Sequence, residues 1–230
     1  MEVCATIAYS IAPISTVRRF MRTILCYGDS NTYGTAPMQH LEDDRRFGHG
    51  ERWVSVMRQI ISADWWVLEE GLPGRTTVLD DPIEGIHKNG LTYLTPCLES
   101  HRPIDVVTIS LGTNDLKARF GMPPSDIAAS AGILVETVRT ALAAFGQSAK
   151  VLLIAPPPIL EVGCLAEMFA GGAAKSQAFA THYKAVAAKL GAAFLDAGAV
   201  IGSSTIDGIH FDQPEHLKLG RAVAAAVKQL

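Results

Sequence analysis

Five short apolar runs of strand character, separated by stretches with helical spacing, constrain the fold of this 230-residue chain more than any other feature. The runs are Ile24 to Tyr27, Trp65 to Glu69, Ile104 to Leu111, Val151 to Ala155 and Ala192 to Asp196. Between them, Trp53, Val54, Val56, Met57, Ile60 and Ile61 fall on one helical face. Asn89 to His101 and Asp126 to Phe145 also read as helices, the second with the apolar set Ile127, Ile133, Leu134, Val138 and Leu142. Ala173 to Leu190 reads as another, and Glu215 to Leu230 closes the chain as a helix. Strands alternating with helices imply right-handed βαβ units and a parallel sheet covered on both faces. The expected fold is therefore a three-layer α/β/α sandwich with a five-stranded parallel sheet ordered 2-1-3-4-5. In that order the first and third strands send their chains to opposite faces, which opens a crevice at their carboxyl ends. Pro96 is expected to bend its helix or mark its first turn, and Pro156 to Pro158, lacking amide hydrogens, to stop the fourth strand.

Hydrophobic residues make up 48% of the chain and charged residues 19%, enough apolar material for such a core. No Gly/Ser/Pro-rich linker divides the chain, so residues 23–230 read as one domain preceded by an extension, residues 1–22. The net charge is −3 and Lys and Arg are scattered, which argues against a nucleic-acid partner. In the extension, Glu2 precedes the apolar run and Arg18, Arg19 and Arg22 follow it, the reverse of an export signal. Ser10 and Pro13 leave the run too broken to span a membrane, so a cytoplasmic location is expected. Two readings stay open for the extension: an arm packed on this or a neighbouring subunit, or an over-extended start with Met21 as the initiator. Cys4, Cys26, Cys97 and Cys164 form no Cys-x-x-Cys pair and are expected as reduced, packed thiols. No His-Glu-x-x-His or comparable set is present, so no metal is expected.

The chemistry concentrates where strands end. Gly28-Asp29-Ser30 closes the first strand in a turn and presents Ser30 at the rim of the sheet. A serine hydroxyl is a poor nucleophile until a base takes its proton. His210, after the last strand and before the terminal helix, is placed to do so, and Asp207, three residues earlier, can orient its ring. Acyl transfer also needs donors aimed at the oxyanion. The Asn114 side chain, the Gly74 amide and the amide of Ser30 itself leave three different strands and can supply them. Taken singly, Asp207 could be a turn cap, Gly74 a turn glycine and Asn114 an Asx turn or helix cap.

Together, Gly28-Asp29-Ser30, Gly74, Gly112-Thr113-Asn114-Asp115 and Asp207-Gly208-Ile209-His210 resemble the four ordered blocks of the SGNH (GDSL-type) hydrolases, over most of the chain from Thr23 onward. Glu70-Gly71-Leu72, Arg75-Thr76-Thr77 with Asp80-Asp81, Lys117, and Ala155-Pro156-Pro157-Pro158 resemble, more narrowly, bacterial arylesterases and the mycobacterial acyltransferase/perhydrolase. The resemblance implies a flavodoxin-like SGNH fold, with Ser30 as nucleophile, His210 as base, Asp207 as its orienter, and Ser30, Gly74 and Asn114 as the oxyanion hole. It implies short-chain aryl or alkyl ester substrates, no cofactor, and a homo-oligomer whose subunits narrow the mouth of the site. Asn31, Tyr33 and Ile209 are expected to touch substrate. Many relatives carry leucine after the nucleophile and tryptophan near Tyr33, so the acyl preference does not carry over.

Other readings compete with this one. Glu69 and Glu70, as consecutive strand residues, point to opposite faces and make a poor glycosidase pair. The glycines at 28 and 71–74 lack the spacing of a dinucleotide or phosphate loop. The run Glu42-Asp43-Asp44-Arg45-Arg46, within the polar segment from Thr35 to Gly50, is expected as a solvated loop. Within enzymes the alternative is a deacetylase of acetylated carbohydrates. Outside them it is an inert small-ligand module, which turnover of p-nitrophenyl acetate separates from an esterase.

Overall fold

A computed structural model describes residues 21–230. The expected arm over residues 1–20 therefore lies outside the described residues. The sheet has five parallel strands, β1 (Arg22–Gly28), β2 (Trp65–Gly71), β3 (Val106–Ser110), β4 (Lys150–Ala155) and β5 (Ala193–Asp196), ordered β2-β1-β3-β4-β5. The fold expected from the alternation is the fold observed. One boundary moves: Arg22, placed in the extension, begins β1 and pairs with Trp65.

β1 shows why the sheet has two cores. Its residues alternate across the sheet, as strand residues must. Leu25 and Tyr27 pack with Val107, Ile109 and Leu153 on one face, beneath α3 (Gly90–Ser100), α4 (Pro124–Ala143) and α6 (Phe179–Leu190). Ile24 and Cys26 pack with Val106, Leu152 and Ile154 on the other, beneath α2 (Trp53–Ile60) and α7 (Gln213–Val227). Continuous apolar strands are what a sheet buried on both faces requires.

Two local expectations are corrected and one is narrowed. Pro96 lies inside α3 without ending it, beyond the first turn capped by the Asn89 side chain. Ile133, assigned to the inner face of α4, is 43% exposed. Gly132 packs there instead, and a Cβ at that position would approach Val186 Cγ1 to 2.8 Å, so a small residue permits the close crossing of α4 and α6. The helix expected over 173–190 is two helices, α5 (Gly172–Ser176) and α6, broken at Gln177 and Ala178. Ser176 Oγ donates to the Ala173 carbonyl and accepts the Ile159 N–H, which ties the end of α5 to the loop after β4.

Among the described residues no helix is long and apolar enough to cross a membrane. Cys26 and Cys97 are buried free thiols, and Cys164 is half-buried.

Candidate active site

Ser30 opens α1 (Ser30–Tyr33), one turn of helix set directly on the end of β1. The Asp29 side chain accepts the Asn31 N–H at 3.0 Å and caps that turn, and Gly34, with φ of 91°, closes it. The turn needs bare backbone around it. A Cβ on Gly28 would fall 2.0 Å from Thr32 Oγ1, and one on Gly71 would fall 2.1 Å from the Tyr33 nitrogen. These glycines let β1, β2 and α1 converge closely enough to hold Ser30 at the rim.

The chain returns to Ser30 from 180 residues away. The Ser30 hydroxyl donates to His210 Nε2 at 3.0 Å, and His210 Nδ1 donates to Asp207 Oδ2 at 2.6 Å. All three are buried, Asp207 completely. Asp207 is held in turn: Oδ1 accepts the Ile209 and His210 amides at 2.9 Å, and Oδ2 accepts the Met38 amide at 2.7 Å. Burial by itself would raise the Asp207 carboxyl. The hydrogen bond and charge of His210, with the Met38 and Ile209 amides, outweigh it and hold the group below its ordinary 3.8. The carboxylate therefore stays ionised at neutral pH and fixes the ring with Nε2 free to accept.

Around this relay lies a cavity of about 530 Å³ that Ser30, His210, Gly74 and Asn114 all line. Gly74 adopts φ of 79° in the loop after β2, and its amide makes no hydrogen bond among the described residues. Asn114 leaves the end of β3, and its Nδ2 donates to the Arg75 carbonyl at 3.1 Å, which leaves its second amide hydrogen free. Arg75 is buried and ties the strand ends together, donating to the Gly28 carbonyl at 2.8 Å and to that of Glu70.

Of the three residues expected to touch substrate, Tyr33 and Ile209 line the cavity and Asn31 does not. Asn31 turns inward and its Nδ2 donates to the Ile209 carbonyl at 3.1 Å, so it braces the loop that carries His210. The run from Glu42 to Arg46 is largely exposed, as expected of a solvated loop, but the segment that carries it also reaches the site. Met38 holds Asp207, and Met38, Leu41, Asp43 and Asp44 form part of the cavity wall. The Asp43 side chain organises this loop by accepting the Gln39 amide and the Arg45 guanidinium. Sequence reasoning also gave no role to Leu165, Met168 and Phe169, the apolar wall that follows the proline run. Local spacing carries no signal for either group, because both reach the site only through the tertiary fold.

Lys117 was legible as part of a block but not as a cavity residue. It is buried at 2% side-chain exposure and pairs with Asp81 Oδ2 at 3.3 Å and with Glu84, while Arg119 binds Asp81 Oδ1 at 3.1 Å. Glu84 packs over Gly74, whose added Cβ would approach Glu84 Oε2 to 2.3 Å, so this network braces the Gly74 loop. Behind Ser30, burial pushes the Asp29 and Asp115 carboxyls up to about 6, with the Asn31 amide and Thr77 opposing it respectively.

A doubly wound α/β sheet with a hydroxyl–imidazole–carboxylate relay at its carboxyl rim has the architecture of a serine hydrolase. The model of the GDSL-like lipase/acylhydrolase family matches residues 26–218, and the chain belongs to that family. Among solved structures it is similar to the M. smegmatis aryl esterase, at 41% identity over 91% of this chain and 99% of that one, with a TM-score of 0.86. It is also similar to Est24, a carbohydrate acetylesterase from Sinorhizobium meliloti, at 39% identity over 90% and 99% of the two chains, TM-score 0.86. A carbohydrate acetylesterase family member from the same organism matches at 32% identity over 91% and 98%, TM-score 0.80. A search of curated proteins found no match. The chain is thus a carboxylic ester hydrolase of the GDSL type.

Proposed function

We propose that the protein cleaves short-chain acyl esters through an acyl-enzyme on Ser30. The observation that carries this is the unbroken hydrogen-bond relay from Ser30 Oγ through His210 to the buried Asp207 carboxylate. As Ser30 Oγ attacks the ester carbonyl, its proton passes to His210 Nε2 and Asp207 stabilises the imidazolium. The amides of Ser30 and Gly74 and the free Asn114 Nδ2 hydrogen receive the oxyanion. The tetrahedral intermediate collapses, the alcohol leaves with the proton from His210, and a water activated by the same ring then releases the acid. An alcohol or peroxide in place of that water gives acyl transfer.

The cavity has two characters. Leu165, Met168, Phe169 and Ile209 offer hydrocarbon surface, whereas Asp43, Asp44 and Glu84 offer carboxylates that accept hydroxyl hydrogens. That polar wall favours, as a second reading, removal of acetyl groups from hydroxyl-rich alcohols such as carbohydrates, with the same chemistry at Ser30. The likeness to carbohydrate acetylesterases supports it as well.

The deciding experiment is turnover of p-nitrophenyl acetate by the wild type and by Ser30→Ala, followed by a panel of aryl esters, alkyl esters and acetylated sugars. Turnover should vanish in Ser30→Ala. Activity that survives it removes Ser30 from the chemistry, and the panel separates the two substrate readings.

A further inference from the structure

Behind the rim of the sheet, outside the residues that line the Ser30 cavity, three side chains of different chemistry converge. Cys97 and His101 are four residues apart at the end of α3, which places them on one face of the helix. Glu70, on β2, reaches toward that face. One ligand atom from each of the three residues lies within 4.8 Å of the other two. Glu70 Oε1 and His101 Nε2 are 3.0 Å apart. Cys97 is buried, while the side chains of Glu70 and His101 are 21% and 31% exposed, so the cluster is closed on the core side and open to solvent on the other.

We propose that Glu70, Cys97 and His101 bind a zinc-like divalent cation, with the fourth position left to water. The donor set is one sulfur, one imidazole nitrogen and one carboxylate oxygen, the ligands zinc takes in tetrahedral sites. Zinc–ligand lengths of about 2.0–2.3 Å put neighbouring corners of a tetrahedron about 3.4–3.6 Å apart. The Glu70–His101 pair, at 3.0 Å, lies slightly inside that spacing and opens as its hydrogen bond gives way to the metal, and the widest pair closes by rotation of these two partly exposed side chains. On coordination the Cys97 thiol gives its proton to solvent as the metal–sulfur bond forms. Thiolate and carboxylate together then neutralise the dication.

The neighbouring Arg75 guanidinium is the electrostatic obstacle. It is engaged by the Gly28 and Glu70 carbonyls and stacks on the Tyr27 and Tyr93 rings, so it keeps its partners when the cation enters. The alternative for the same residues is a His101–Glu70 hydrogen bond beside an inert packed thiol.

Cobalt separates the two. Full-length, untagged protein stripped with a chelator and titrated with Co²⁺ should develop thiolate-to-cobalt charge-transfer absorption that saturates at one equivalent. Zn²⁺ should abolish that absorption by competition and should raise the melting midpoint with its free concentration. Both signals should persist in His210→Gln, which excludes His210 as the site, and in the double variant Cys4→Ser/Cys164→Ser. They should be lost in Cys97→Ser and, with less disturbance of the core, in His101→Gln. No charge-transfer absorption, or absorption that survives both Cys97→Ser and His101→Gln, overturns the proposal.

Discussion

Replacing Asp207 by asparagine tests the orienting role of the carboxylate, because the substitution keeps its shape and reverses half of its hydrogen bonding. Asp207 accepts four hydrogen bonds, from the Ile209 and His210 amides at 2.9 Å, the Met38 amide at 2.7 Å and His210 Nδ1 at 2.6 Å. An asparagine can accept the first pair through its oxygen, which puts its NH₂ where Oδ2 was, facing two N–H donors. The ring resolves one conflict by moving its proton to Nε2, and Nε2 can then no longer take the proton of Ser30. Turnover should fall about 10⁴-fold, or about 5 kcal/mol of transition-state stabilisation. The Met38 amide stays opposed by a donor, at a cost of about 1–3 kcal/mol of stability. That stability difference has a pH signature. Because the folded Asp207 carboxyl lies below its ordinary 3.8, its contribution is complete above that value and is lost as pH falls through the folded pKa. The gap in stability between wild type and variant should therefore be full above about pH 4 and close in stronger acid. Steady-state hydrolysis of p-nitrophenyl acetate, with thermal melts from pH 3 to pH 8, measures both. A folded variant that turns over within tenfold of wild type refutes the assignment of Asp207 as the group that orients His210.

Asn114→Ala should lower turnover by about 10²–10³-fold with little change in KM, since the lost donor acts on the oxyanion and not on the bound ester; an unchanged kcat removes Asn114 from the oxyanion hole. Lys117→Met leaves the fully buried Asp81 with Arg119 as its remaining cation. A loss of about 3 kcal/mol is expected, a drop of about 6–12 °C in melting midpoint, and an unshifted midpoint shows that the buried pair contributes nothing net.

The amino-acid sequence by itself determined the sheet, its strand order and the residues that meet at its rim. Alternation of apolar strands with periodic helices acts over a few residues at a time, and the carboxyl ends of parallel strands lie on one edge whatever the loops do. Gly28-Asp29-Ser30, Gly74, Asn114 and Asp207 to His210 were legible because each block closes a strand or precedes the terminal helix. The tertiary structure decided what holds those residues and what surrounds them. Asn31 faces the Ile209 carbonyl 178 residues away, and the Met38 amide meets Asp207 across 169 residues. Lys117 reaches Asp81, and Glu70 of β2 meets Cys97 and His101 of α3, across separations that spacing along the chain does not encode. The break at Gln177 and the outward turn of Ile133 have the same origin, since a buried hydroxyl and the closeness of a neighbouring helix outweigh local propensity. Periodicity fixes which face of an element is apolar, but the partner of each polar atom is set by loops closing over long distances, and that is known only once the chain has packed.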